Sequence, residues 1–278
     1  MSKKFILNFT PTGMIPTKEM TKAVPIQTDE IIEQVTEAAD IGVNMVHIHA
    51  RDPNTGEPTY KKEIYGEIIG GIKKKHKDLV LCVSLSGRTF PELEKRSEPL
   101  DLTGDVKPDF GSLTLSSLNF PKQASINSPE MVQALAKKML DKGIRPELEA
   151  FDLGMVNYAH YLINKKLVKP PYYFNLILGN IASAQSNLMT FGLMVNELPK
   201  DSIWSGGGIG KFQLSMNAMS IIAGGGVRIG LEDNIYFDEE KTHLATNKEL
   251  IERLLLIAKA LGRTPYSHKE TREVLGLN

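Results

Sequence analysis

Short apolar runs alternate with longer amphipathic stretches from one end of the chain to the other. Eight of the runs have strand length and composition: residues 5–9, 45–49, 80–85, 111–115, 147–151, 173–178, 203–205 and 227–231. Between them, apolar residues at helical spacing predict helices over 29–41, 64–75, 129–141, 184–196 and 248–261. Thr28 is a suitable N-cap for the first helix, with Asp29 and Glu30 at the positive end of its dipole. Ser128 before Pro129 is a cap followed by an N1 proline, and Gly42 and Gly143 fall where helices should stop. Eight β-then-α units in 278 residues predict an α/β fold of the (β/α)8 TIM-barrel type, as a single domain over residues 1–278. An open Rossmann-like sheet is the alternative, but the glycine run from Ser205 to Phe212 does not support it. Lys211 stands where Gly-x-Gly-x-x-Gly needs its third glycine, and Ser205 and Phe212 break the P-loop pattern. Two uses remain for this run: a tight strand-to-helix turn, or backbone amides approaching a phosphate or carboxylate.

Charge and cysteine usage narrow the partners. Acidic and basic residues balance at 33 each with no long block of either sign, which argues against nucleic-acid or basic membrane-binding surfaces. No apolar segment approaches the roughly 18 residues needed to cross a bilayer. Met1-Ser2-Lys3-Lys4 resembles the start of a signal peptide, but the apolar run after it is short and Pro11 follows at once, so a first strand is expected. The single cysteine, Cys82, excludes an intrachain disulfide and fits a cytoplasmic location. Within Leu79-Val80-Leu81-Cys82-Val83 it reads as a packed thiol rather than a nucleophile.

A barrel of this type carries its chemistry at the C-terminal ends of the strands. The second strand ends in His47 and His49, which share one face because side chains at i and i+2 do so. Two imidazoles on one strand are half of a metal site, or else two core histidines bonded to neighbouring backbone. Ser84 and Ser86 end the third strand, Ser112 and Thr114 alternate on the fourth, and Glu147 and Glu149 on the fifth. On the eighth, Arg228, Gly230 and Glu232 are expected to share one face. Buried carboxylates need cations or hydrogen bonds, and Arg228 and a metal are the convergent candidates for Glu149 and Glu232. Glu232 is the candidate third ligand, since two histidines and a glutamate form a known catalytic-zinc set with an open position. A salt bridge or helix cap is its alternative role, and a barrel-spanning ion pair that of Arg228. His76, His160, His243 and His268 fall on helices or loops and are not expected at the site.

Three segments resemble the β-keto acid cleavage enzymes. They are Val46-His47-Ile48-His49-Ala50-Arg51-Asp52, Pro146-Glu147-Leu148-Glu149-Ala150-Phe151-Asp152-Leu153-Gly154-Met155, and Gly224 through Asn234. Trp204 through Gly210 and Leu118-Asn119-Phe120 fit as well, so the resemblance covers nearly the whole chain. It implies a TIM barrel with a divalent metal, usually zinc, on His47, His49 and Glu232. It implies the reaction too: a β-keto acid and acetyl-CoA give acetoacetate and a new acyl-CoA. By the same resemblance Asp233, Arg228, Glu149 and Ser86 are catalytic candidates, Ser112 and Thr114 bind substrate, and the protein is a homo-oligomer. The clearest departure lies after Thr12-Gly13, where the family's type member has a glutamate for its substrate's ammonium group and this chain has Met14 and Ile15. Ile15 cannot pair with a cation. Arg88 is either a contact for an anionic substrate tail or an ordinary surface-loop arginine.

Two other functions compete. Metal-dependent hydrolases on this barrel also use a strand-borne His-x-His, but generally need further ligands from later strands, often His or a metal-bridging Lys, and neither stands at the later strand ends here. A non-catalytic barrel that senses an acyl-CoA or acid, with zinc in a structural role, is the other.

Overall fold

A computed structural model describes residues 3–277. Met1, Ser2 and Asn278, which the single-domain and signal-peptide readings touch, lie outside the described residues. Eight parallel strands close into a barrel: β1 Leu7–Phe9, β2 Met45–Ile48, β3 Val80–Val83, β4 Phe110–Thr114, β5 Arg145–Ala150, β6 Tyr172–Leu178, β7 Ser202–Gly208 and β8 Gly226–Ile229. Each pairs with the next, and β8 returns to β1 through Arg228 opposite Asn8. Around them lie α1 Thr28–Asp40, α2 Lys62–Lys73, the short α3 Leu93–Arg96, α4 Pro129–Lys142, α5 Leu153–Asn164, α6 Leu188–Asn196, α7 Gln213–Ala223, α8 Asn247–Ala260 and α9 His268–Val274. This is the (β/α)8 TIM barrel that the alternation predicts.

The strands follow period-two logic. Val46 and Ile48 of β2 face outward into the apolar shell shared with the helices, together with Ile68, Ile69 and Ile72 of α2. Met45 faces inward and packs with Cys82, Phe110 and Tyr173 as an apolar plug in the barrel. His47 lies on the same face as Met45, above that plug. Cys82 is fully buried there, and burial pushes its thiol pKa well above the usual value, which suits a packed thiol.

Several boundaries differ from the sequence reading for local reasons. The first predicted strand divides: Lys4–Phe5 pairs with Thr264–Pro265, and only Leu7–Phe9 joins the barrel. Helix α1 starts at Thr28, so Gln27 rather than Thr28 is its cap, because the Glu30 carboxylate accepts from the Ile26 and Gln27 amides at 2.9 and 3.1 Å. Helix α6 starts at Leu188 rather than residue 184, where the Asn187 side chain accepts from Thr190 N at 2.9 Å. Helix α5, not predicted, is capped by Asp152 through Met155 N at 2.9 Å. Strand β7 extends through the glycine run. A Cβ on Gly206 would stand 2.8 Å from the Ser220 side chain, and one on Gly208 would stand 2.4 Å from Phe212 O. These glycines let α7 and the turn before it lie directly against the strand.

Candidate active site

The C-terminal strand ends surround a cavity of about 400 Å³. His47 and His49 line it, as do Ser84, Ser86, Arg88, Ser112, Thr114, Glu149, Arg228, Glu232 and Asp233. The four other histidines are not among its lining residues.

His47 and His49 present their Nε2 atoms to one another at 3.2 Å, and His49 Nε2 is 3.2 Å from Glu232 Oε1. The ligand atoms of His47, His49 and Glu232 all lie within 4.8 Å of one another. Behind His47 stands Glu147, wholly buried, with Oε2 2.5 Å from His47 Nδ1. Asn8 Nδ2 donates to the other Glu147 oxygen at 2.7 Å, and Cys82 Sγ donates to Oε2 at 3.3 Å. Glu147 thus fixes the ring so that Nδ1 faces the barrel interior and Nε2 the cavity. Among the described residues one other cluster could hold a cation, His47–Cys82–Glu147, on the interior side of the same histidine.

Burial disfavours an imidazolium at His47, but the charges of Glu147 and Glu232 outweigh it and push the pKa up to about 9. Burial dominates at His49 and takes it down to about 4. The positive charge of the pair thus rests on His47, whose Nε2 faces that of a neutral His49. Glu232 Oε2, in turn, is a buried oxygen with no hydrogen-bond partner. Glu232 thus brings an unpartnered oxygen to a neutral His49 ring, with His49 Nε2 3.2 Å from its other oxygen.

Arg228, on β8, gathers the remaining carboxylates. Its Nε donates to Asp233 Oδ2 at 2.9 Å, and its Nη2 to Glu232 Oε1 at 2.8 Å and Asp233 Oδ1 at 3.3 Å; Nη1 lies 3.5 Å from Glu149 Oε1. Burial works against the guanidinium, yet Asp233, Glu232 and Glu149 hold its pKa well above the usual arginine value. The carboxylates divide. Burial would raise Glu232, but His49, Arg228 and His47 hold it well below the usual range. At Asp233 burial prevails over Arg228, and at Glu149 over His47 and Arg228, so both stand above it. Thr114 Oγ1 donates to Glu149 Oε2 at 2.7 Å, and Ser112 Oγ accepts from Leu85 N at 2.9 Å.

The strand reading of 227–231 needs correction. Strand β8 ends at Ile229, and Gly230 adopts φ +153°, where an added Cβ would stand 2.1 Å from Thr10 O. The chain turns there, with Asp233 N donating to Gly230 O at 3.3 Å. Glu232 therefore does not share a strand face with Arg228; the turn lets the adjacent residues Glu232 and Asp233 both meet its guanidinium, which strand alternation forbids.

Arg51 donates to the carbonyls of Gly13, Pro16 and Gly56. This fixes the 13–16 loop, and with it Met14 and Ile15, at the cavity. Arg88 is half-buried and lines the cavity rather than lying on an open surface loop. Sequence reasoning assigned no site role to Glu147 or Arg51. The i, i+2 pairing of Glu147 with Glu149 pointed to the first; Arg51 followed the His-x-His with no independent signal.

A family model described as β-keto acid cleavage enzyme matches residues 4–277. The chain is 33% identical over 279 residues to the 3-keto-5-aminohexanoate cleavage enzyme of Fusobacterium nucleatum, covering 100% of this chain and 99% of that protein. It is 32% identical over 295 residues to the 3-dehydrocarnitine:acetyl-CoA trimethylamine transferase of Rhizobium meliloti, covering 100% and 98%. Among solved structures, the apo structure of ObcA superposes with a TM-score of 0.75 at 19% identity, covering 92% of this chain and 66% of that one, a likeness of fold.

Proposed function

The chain belongs to the β-keto acid cleavage enzyme family, and on that premise we propose that it condenses a β-keto acid with acetyl-CoA, giving acetoacetate and a new acyl-CoA. The carrying observation is the juxtaposition of the His47–His49–Glu232 donor set with the Arg228–Asp233–Glu149 cluster in one cavity.

His47, His49 and Glu232 fit a divalent cation such as zinc. Two imidazole nitrogens and a carboxylate form a recognised zinc set, and the orphaned Glu232 Oε2 beside two facing imidazole Nε2 atoms suits a cation between them. A cation bound there supplies Lewis acidity toward the ketone and carboxylate oxygens of the substrate.

The chain's own groups move the protons. Asp233 takes a proton from the carbon between ketone and carboxylate. Its burial-raised pKa suits a base that must later return the proton, and Arg228 orients it through Nε and Nη2. The carbanion bonds to the acetyl carbonyl carbon and displaces the CoA thiolate. That thiolate adds to the original ketone carbon, and retro-Claisen cleavage of the bond between this carbon and the former carbanion centre leaves acyl-CoA. Asp233 returns its proton to the acetoacetate carbanion, so no atom is left over and no side chain is acylated. Ser86 donates to a developing oxyanion, Thr114 holds Glu149 through its hydroxyl hydrogen, and Ser112 and Ile15 contact the substrate, all four lining the cavity. Glu149, bonded by Thr114 and facing Arg228, is the second carboxylate and the alternative base.

The test is a panel of β-keto acids incubated with acetyl-CoA and assayed for acetoacetate. Acetoacetate formation that depends on both substrates is the expected result, and silence with every acid refutes the reading. His49→Ala should abolish stoichiometric metal; full metal occupancy in that variant refutes the ligand set.

A further inference from the structure

Arg88 follows β3 and stacks on Phe120, its guanidinium carbon 3.4 Å from the ring centroid. Among the described residues its guanidinium donates no hydrogen bond and forms no ion pair; only its backbone N–H is engaged, toward Ser86 Oγ at 3.5 Å. Its neighbours differ. Arg96 spends its donors on Leu85 O, Ile126 O and the Asn127 side chain, Arg51 on three carbonyls, and Arg228 on carboxylates. A half-buried guanidinium with free donors, held by an aromatic face in the wall of the reaction cavity, is a receptor rather than a strut.

We propose that Arg88 binds a second carboxylate, at the far end of the keto acid, so that the substrates are β-keto dicarboxylic acids. The inference rests on the reading of the cavity as a β-keto acid cleavage centre, and it concerns the tail alone. Three observations carry it. The cavity's carboxylates are Glu149, Glu232 and Asp233, and all three face Arg228. An ammonium tail therefore meets no free counter-ion, and the 14–15 positions offer it only Met14 and Ile15. A neutral alkyl tail would pack on Ile15 and Leu118, but would strip water from the guanidinium and leave its donors unmet, an unfavourable exchange. A carboxylate accepts two parallel hydrogen bonds from the guanidinium edge, which stacking on Phe120 leaves accessible. The reactive-end carboxylate has its own partners at the strand ends, in the Ser112 hydroxyl and the His47–His49–Glu232 set that would hold a cation. Arg88 lines the same cavity as Glu149, Glu232 and Asp233, so one substrate molecule can meet both ends.

Three six-carbon acids of matched length test this with acetyl-CoA: 3-oxoadipate, 3-oxohexanoate and 3-keto-5-aminohexanoate. For the wild type we expect kcat/KM for 3-oxoadipate, read as acetoacetate and succinyl-CoA, to exceed that for 3-oxohexanoate by about 30-fold or more, the order expected of a charge-assisted bidentate contact. Arg88→Met should collapse that preference ratio, and Arg88→Lys should restore part of it. Independently of turnover, calorimetry should show adipate binding more tightly than hexanoate in the wild type and equally in Arg88→Met, each variant being checked for folding by circular dichroism. Equal losses with all three acids would assign Arg88 to the shared reactive end. A raised KM for acetyl-CoA alone would assign it to the coenzyme. Either result overturns the proposal, as does wild-type preference for 3-oxohexanoate, which leaves the cleavage activity standing. Acetoacetate from none of the three acids overturns the cleavage reading itself.

Discussion

Gly13→Ala should damage the proposed metal site more than it damages the fold. Gly13 has φ +67°, and a Cβ built on it would lie 2.5 Å from Glu232 Cγ, 2.8 Å from Cβ and 3.0 Å from Cα. Rotating the Glu232 side chain cannot relieve contacts with its Cα, so the 230–234 turn or the 13–16 loop must move by about 1 Å to reach ordinary van der Waals distance. The loop is tied through Gly13 O to Arg51, at 2.7 Å from Nη2, and the turn through Glu232 to Arg228, at 2.8 Å from Nη2. Left-handed backbone costs alanine about 1–2 kcal/mol, and overpacking adds about 1–3 kcal/mol. Gly104→Ala separates the two contributions: Gly104 has φ +62° with nothing within 4 Å of the added Cβ, so it carries the backbone cost alone. Both variants should lower the denaturation midpoint, Gly13→Ala by more. Only Gly13→Ala should weaken metal affinity in a chelator-competition titration, by about 10–100-fold, the range for disturbing a ligand's supports. Equal metal affinity in the two variants would refute the placement of Glu232 as a ligand packed on Gly13.

Other perturbations reach neighbouring parts of the argument. Glu147→Gln keeps the shape but removes the charge behind His47 Nδ1, and metal affinity by the same titration should fall about 10–100-fold. Asp233→Asn should retain stoichiometric metal by elemental analysis and lose at least about 100-fold in kcat; near-normal turnover would move the base to Glu149. Cys82, buried with its thiol pKa raised by burial and by Glu147, should resist alkylation in the folded protein and react on unfolding, which mass spectrometry reads directly. Glu270 is held near a pKa of about 2 by Lys4 and the Ser267 cap. Its carboxyl pKa is lower folded than unfolded, so its contribution is present above pH 4.5 and disappears as pH falls toward 2. Glu270→Gln should therefore flatten acid-induced destabilisation in that window, and an unchanged pH profile would discount the bond.

Legibility in the sequence followed the range of the interaction. The barrel could be read because eight apolar runs and the strand-end polar residues both obey period two. His47, His49, Glu149, Ser112 and Thr114 all reach the cavity from strands or strand ends as alternation requires. Residues that depend on a turn or a tertiary contact were harder. Glu232 and Asp233 are adjacent, and a strand through 231 would send them to opposite sides; Gly230 at φ +153° breaks the alternation, and its signal was a glycine in a motif read as strand. Glu147 looked interchangeable with Glu149, since both face inward from β5. Their depths in the barrel separate them. Glu147 is fully buried against Asn8, Cys82 and His47, so burial opposes its charge but His47 keeps it ionised, whereas Glu149 lines the cavity and stands above the usual carboxylate range. One strand thus presents a fixed charge that aims a ring and, two residues on, a carboxyl group that opens on the cavity. Period two assigns them one face but not their depths, which are set by the stagger of neighbouring strands: Glu147 opposite Ser112 and Tyr173, and Glu149 opposite Thr114 and Asn175.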